Sequence, residues 1–333
     1  MTELRTAVIC APLRTPVGRF GGALAPVHAR GLAVTVLEAL LERTGIDTAA
    51  VDGVIGSQGY PTMESPAFGR VAALDAGFPV TTGGYQLDRR CGSGLQAVVN
   101  AAMEVQTGAS DVVVALGAES MSNAPLYTEE GRRGLPTGGL MLHDALARGR
   151  ETIGGVRFPT PEGNVGSAEL LRREYGISRE AQDALALRSH QRAVAAWESG
   201  AFDAETVPVT VPGRRGSTVV DRDEHPRADT TLEALGGLRA ILGRGDPDWP
   251  ASQASRSAVA RSNVIVDLRP GAQVLRNHHR ANSGTSARVY PSQPSWRWRQ
   301  HVAGATRVLS IEEGRRVALA GVDPPGKIRQ RRA

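Results

Sequence analysis

The sequence predicts an α/β fold: a layered α/β/α amino-terminal region around a mainly parallel sheet, then an α+β region, then an irregular or disordered carboxy-terminal tail. Three observations predict it. Short apolar segments alternate with stretches of helical periodicity through residue 118, the pattern of strands crossed over by helices. Residues 91–107 are almost wholly apolar, which asks for a buried helix. After Asp248 the apolar periods stop, while arginine and serine accumulate.

The elements follow in order. Residues 6–11 read as a buried first strand containing Cys10, expected as a packed core thiol. Residues 29–43 repeat apolar positions at helical spacing, and Gly45 is placed to cap their end. Residues 51–56 give a second strand, and residues 66–76 a second helix ending near Gly77. In the helix at 91–107, Gln96, Asn100 and Glu104 form one thin polar stripe, and Gly108 is a C-cap. Residues 111–116 read as a strand buried on both faces. Glycine, proline and charge then rise, and no alternation survives until 165. Residues 179–199 form an amphipathic helix, 207–211 a strand and 230–242 a further helix.

Composition narrows the class. The chain has 333 residues, 41% hydrophobic and 22% charged, a soluble globular balance with room for one large domain or two ordinary ones. Aromatics are only 4%, so Ala, Val, Leu and Ile must build the core. Two cysteines make no disulfide framework, and a reducing, cytoplasmic setting is expected. No segment has the length of a membrane span and no targeting segment is expected. Residues 249–333 hold 15 of the 39 Lys and Arg but 4 of the 34 Asp and Glu. That leaves 24 basic against 30 acidic groups in residues 1–248, so the net +5 belongs to the tail.

Five blocks carry a family resemblance. Gln86-Leu-Asp-Arg-Arg-Cys91-Gly-Ser-Gly-Leu-Gln-Ala-Val98 resembles the nucleophile motif of thiolases, and Gly117-Ala-Glu-Ser-Met-Ser-Asn-Ala124 their second signature. Arg14 to Gly22 is similar to the loop after the family's first strand. Tyr175 to Asp183 with Leu187 to Gln191 is similar to its loop-domain helices, and Asp221 to Arg227 with Thr231 to Glu233 to the end of that domain. The resemblance covers about residues 4–248 and fits the acetyl-CoA acetyltransferase branch. It implies a thiolase-like core domain at 1–124, a coenzyme-A-binding loop domain at 125–248 and an unrelated basic tail at 249–333. It further implies acyl transfer through a cysteine thioester, acyl-CoA substrates, no cofactor beyond the coenzyme A thioester itself, and a homodimer or tetramer.

The chemistry of these residues fits. A thiol is the least handicapped nucleophile at neutral pH, and a helix N-terminus favours its thiolate. Cys91 stands at such a position, and Gly92 and Gly94 let an acyl thioester approach the backbone. Without the flanking blocks, a cysteine before an apolar helix reads as a small buried hydrophobe. By the resemblance Arg227 lies against the coenzyme A nucleotide, where a guanidinium can stack on adenine and face phosphate; the plain reading is a solvated charge. His190 is expected to be structural, and Glu119 and Ser120 to support the active-site loop without moving protons. Arg14, Arg19, Gly18, Gly21 and Gly22 hint at a phosphate loop, but a packing loop suits their spacing better. His278-His279 has no metal-ligating partners in the sequence, so no metal is expected.

Thiolases complete the site from their carboxy-terminal half, with an Asn-Ala-Ser-Gly loop, an Asn and a His in later motifs, and a second cysteine. None is present, and Trp249-Pro-Ala-Ser-Gln stands where the glycine-serine loop is expected. Residues 249–333 read as out-of-frame or otherwise unrelated sequence, so turnover is expected to be impaired. Two alternatives stand beside this reading. One is a non-catalytic binder of coenzyme A or a partner. The other is a nucleic-acid binder using Trp296, Arg297, Trp298 and Arg299, for which no fold accompanies the charge.

Overall fold

The computed structural model describes residues 4–134, 137–159 and 163–238, with the backbone of two strands at 297–303 and 306–312. Its described residues divide into two compact units. One takes in residues 4–5 and 12–238, the other residues 6–11 and the two late strands.

The first unit is organised by three parallel strands, β1 (Gly53–Ser57), β2 (Gly83–Leu87) and β3 (Val113–Gly117), in the order β2-β1-β3. The register runs Gly53 beside Gly83 and Val113, through Ser57 beside Leu87 and Gly117. Parallel neighbours need crossovers, and helices supply them. Helix α1 (Ala29–Thr44) precedes β1, α2 (Phe68–Asp75) joins β1 to β2, and α3 (Ser93–Thr107) joins β2 to β3.

Side chains alternate across a strand, and here they serve two cores. Val54 faces α1 and α2, packing with Leu37, Phe68 and Ala72, all at most 1% exposed. Ile55 faces the other way, against Ala97 and Ala101 of α3. Helix α2 lies very close to the sheet because glycine meets glycine. A Cβ on Gly69 would fall 2.5 Å from the Gly56 amide and 2.8 Å from the Tyr85 carbonyl. Helix α1 ends as expected, with Gly45 at φ 62° donating to the Leu41 carbonyl. Gly108 closes α3 in the same left-handed conformation.

Residues 125–238 add α4 (Ala145–Thr152), α5 (Gly163–Glu174), α6 (Arg179–Glu198), a hairpin of β4 (Val209–Gly213) with β5 (Gly216–Val220), and the short α7 (Leu232–Gly236). The hairpin's Val209, Val211 and Val220 bury themselves against Leu24 and Leu32 of the amino-terminal region.

Several expectations are corrected. Residues 6–11 form no strand ladder among the described residues: Ile9 is 68% exposed and Cys10 is an exposed thiol, not a core one. A strand persists only when a neighbour takes its backbone groups, and the described sheet holds only β2, β1 and β3. The strand buried on both faces is the central β1; β3 is at the edge, with Ala115 and Gly117 exposed. Helix α3 is covered on one side only, leaving Leu95 and Met103 72% and 56% exposed. Strand β2 was not anticipated, because Gly83-Gly84 hides its pattern. Helices α4 and α5 lie partly in the stretch expected to be irregular. Asp144 caps α4 by accepting from the Leu146 amide at 2.9 Å, a signal legible in Asp-Ala-Leu.

In the second unit the two late strands, β6 (Arg297–Ala303) and β7 (Thr306–Glu312), pair antiparallel. Trp296 and the histidine pair at 278–279 lie outside the described residues.

Candidate active site

Three parallel strands deliver the chain after each carboxyl end to the same edge of the sheet, where α/β proteins bind their ligands. Here those segments are Gln58-Gly59-Tyr60 after β1, Asp88 to Gly92 after β2, and Ala118-Glu119-Ser120 after β3. Cys91 lies on the segment after β2, in a single 3-10 turn, Arg90–Gly92, that leads directly into α3.

The turn is held from within. The Ser93 hydroxyl donates to the Arg90 carbonyl at 2.6 Å and accepts from the Arg89 amide at 2.7 Å. Asp88 accepts from the Arg90 amide at 2.7 Å. Arg90 itself sits at φ 50°, a left-handed conformation that costs a non-glycine residue roughly 1–2 kcal/mol. Its side chain reaches back to donate to the Gly59 carbonyl, pairs with Asp88 at 3.5 Å and lies over the Tyr60 ring, 5.5 Å from its centroid.

Cys91 is exposed, so a reagent or substrate reaches its sulfur from solvent. Gly92 and Gly94 are not demanded by the protein's own packing. A Cβ on Gly92 would make only ordinary contact with Arg89, 3.6 Å away, and one on Gly94 would meet nothing within 4 Å. The absent side chain at Gly94 therefore leaves open space at the start of α3, three residues along the chain from Cys91.

Glu119 stands across from the turn. Its carboxylate accepts from the Gly59 amide at 2.7 Å, and the Tyr60 amide and the Gln58 side chain lie close enough to favour its charged form. The residue keeps solvent contact, yet crowding by protein atoms is the largest influence on its carboxyl and pushes its pKa above the ordinary glutamate value. The backbone donors oppose that shift. Ser120 supports a different segment, donating to the Val27 carbonyl at 3.0 Å. Of the residues around Cys91, the sequence reading missed Gly59, Tyr60 and the strained Arg90; the end of a parallel strand was the signal for the first two.

Arg227 is on the loop after β5, exposed, with its backbone amide donating to His190 Nδ1 of α6 at 3.2 Å. His190 is 8% exposed and so anchors that loop, as its structural reading expected. No ion pair or hydrogen bond among the described residues brings Arg227 to the Cys91 turn. The glycine-rich loop at 18–22 is no phosphate cradle, because Glu224 already occupies it, accepting from the Arg19 and Ala23 amides at 2.8 and 3.1 Å. Arg14 is likewise spent on Glu205 and Asp223, at 2.6 and 2.8 Å. An open groove of about 470 Å³ is lined by Thr128, Glu130, Leu140, Met141 and His143, and not by Cys91. Among the described residues no cluster of three His, Cys, Asp or Glu could hold a metal ion, and no helix is long and apolar enough to cross a membrane.

A parallel sheet crossed over by helices, with an exposed thiol ahead of a helix at its carboxyl edge, defines a class: layered α/β proteins that present a cysteine at the carboxyl edge of the sheet. Comparison with known proteins narrows it. The thiolase amino-terminal domain matches residues 7–245. The chain is 40% identical over 252 residues to a beta-ketoadipyl-CoA thiolase of Pseudomonas aeruginosa, covering 72% of this chain and 60% of that one. It is 40% identical over 266 residues to an acetyl-CoA acetyltransferase of Escherichia coli, covering 79% and 66%. The crystal structure of the Bacillus anthracis acetyl-CoA acetyltransferase superposes with a TM-score of 0.67 at 41% identity, covering 72% of this chain and 60% of that one. This chain belongs to the thiolase family. It spans 60–66% of the length of these relatives.

Proposed function

We propose that the chain carries the acylation half of a thiolase, an acetyl-CoA C-acetyltransferase type of acyltransferase, with Cys91 as its nucleophile. The Cys91 thiolate attacks the thioester carbonyl of an acyl-CoA. The tetrahedral intermediate collapses, the coenzyme A thiolate leaves and takes up a proton, and the acyl group stays on Cys91 as a new thioester. Backbone amides at the start of α3, beside Gly92 and Gly94, are the donors for the intermediate's oxyanion. Arg227 is the proposed contact for the coenzyme A nucleotide. No cofactor is needed beyond the coenzyme A thioester.

The single observation that carries this reading is an exposed thiol in the turn entering α3, with open space at Gly94 on the helix's first turn. The second half-reaction needs a group to take a proton from the acceptor acyl-CoA, and Cys10 is the only other cysteine of the chain. We therefore expect the acyl-enzyme to form and turnover to be impaired. Assembly as a homodimer or tetramer and a cytoplasmic setting complete the proposal. Two exposed free thiols suit a reducing compartment.

Intact-mass spectrometry after incubation with acetyl-CoA tests it. One acetyl adduct is expected, mapped to Cys91 and absent from Cys91→Ser. Coenzyme A binding by calorimetry without any adduct would instead identify a non-catalytic coenzyme A binder.

A further inference from the structure

We propose that Glu119 is a positioning residue for Cys91, acting through the Gly59–Tyr60 turn and Arg90. The inference rests on reading Cys91 as the nucleophile, and it deepens that reading.

The path is short and continuous. Glu119 follows β3 by two residues, so the parallel register sets it beside the segment that follows Ser57 of β1. Its carboxylate accepts from the Gly59 amide at 2.7 Å. Glycine suits position 59, because a Cβ there would stand 3.1 Å from Glu119 Oε2. With the Gly59 amide held, the Gly59 carbonyl and the Tyr60 ring both engage the Arg90 guanidinium. Helix α4 backs the same contact: a Cβ on its Gly149 would lie 3.3 Å from the Tyr60 ring.

Arg90 is the residue before Cys91, and it holds a left-handed backbone that its own side chain does not favour. Strain of this kind persists only where the surroundings over-determine it. Here the surroundings are Asp88 on the backbone side, Ser93 on the carbonyl side and the Gly59–Tyr60 turn on the side chain. The first two lie on the same loop as Cys91. The third is the only long-range support of the three, and Glu119 is what fixes it. Glu119 thus sets where the sulfur points without touching it.

The experiment uses the two exposed cysteines of the whole chain. Iodoacetamide alkylates a thiol by sulfur displacing iodide, and peptide mass spectrometry gives separate rates for Cys91 and Cys10. Cys10 serves as the internal reference. Glu119→Gln is nearly isosteric but replaces one acceptor oxygen with a donor. We expect it to lower the Cys91-to-Cys10 rate ratio by about tenfold, the size of a typical coupling between contacting residues. Glu119→Asp keeps the charge and should recover most of the ratio. Arg90→Ala should lower it by a similar factor, and Glu119→Gln with Arg90→Ala together should cost no more than either alone.

An unchanged ratio in Glu119→Gln, equal changes at Cys91 and Cys10, or fully additive losses in the double variant would each overturn the proposal. If Glu119→Gln does not fold, Glu119→Asp against Arg90→Ala carries the same comparison. Failure here is separable from failure of the acyl-transfer reading. Alkylation reports the geometry of the sulfur, whereas the acetyl adduct reports chemistry with a thioester.

Discussion

On one face of the three-stranded sheet, α1 and α2 close over Val54, with Phe68, Ala72 and Leu37 at most 1% exposed. On the other face, among the described residues, α3 stands alone. Ala97 and Ala101 reach Ile55, but Leu95, Val99 and Met103, one turn apart in succession, face outward. A helix made of Leu, Val, Ala and Met is composed for two neighbours, and among the described residues it has one. The open side also carries Cys91, and the chain spans 60–66% of the length of its thiolase relatives. The closed face therefore supports the fold, and the open face leaves apolar side chains of α3 in solvent.

The largest effect should come from the closed face. Phe68→Ala removes a ring that is fully buried and should cost about 3–5 kcal/mol. Urea unfolding followed by circular dichroism measures it. A loss below 1 kcal/mol, on the order of a surface substitution, would mean that this face is not the stabilising one. Gly69→Ala probes the same face by addition rather than deletion. Its Cβ meets the backbone of both β1 and β2, so α2 must lift, at a cost of about 1–3 kcal/mol or more.

The open face should respond in the opposite manner. Leu95→Gln with Met103→Gln is expected to change stability by only about 0.5 kcal/mol per site, because neither side chain loses a covered contact. It should instead reduce association, since exposed apolar patches drive it. Light scattering against concentration checks this. Unchanged association with a large loss of stability would show that α3 is covered after all.

How much of this was legible in sequence follows the same division. Helix α1 with its Gly45 cap, the turn at Gly77, and α3 up to Gly108 were readable because local periodicity and glycine conformation decide them. The place of Cys91 at the head of α3 was readable because it opens the apolar stretch. What failed was everything set by a neighbour. Residues 6–11 have a strand's composition but no described partner. Residues 111–116 look buried on both faces, yet β3 is an edge. Leu95 and Met103 look like core residues, yet nothing described covers them. Composition states what a segment could bury, and only tertiary context states whether something is there to bury it. Arg90 shows the same limit in the site: no propensity places an arginine at φ 50°. It takes the contacts from Gly59, Tyr60 and Asp88.

The smallest effect distinguishes the two ends of the sheet and is a matter of sign. At the amino end, Asp52 accepts from the Val112 and Asp111 amides at 2.9 and 2.6 Å, and those bonds hold its carboxyl below the ordinary value. The folded state then binds its proton less readily than the unfolded chain. Its contribution is present above the ordinary aspartate range and is lost as pH falls through the lowered value. At the carboxyl end, Glu119 is pushed the other way by desolvation. The folded state holds its proton more readily, so stability from this group falls as pH rises from the ordinary glutamate value through the raised one. Asp52→Asn should therefore flatten the acid limb of the stability profile. Glu119→Gln should remove a decline on the other side of the ordinary carboxylate range. Thermal midpoints of the two variants and the parent, taken from about pH 3 to pH 7 around the reference carboxylate values, decide it. If both variants changed the slope with the same sign, the contrast between a carboxylate held by backbone amides and one held against desolvation would be wrong for this sheet.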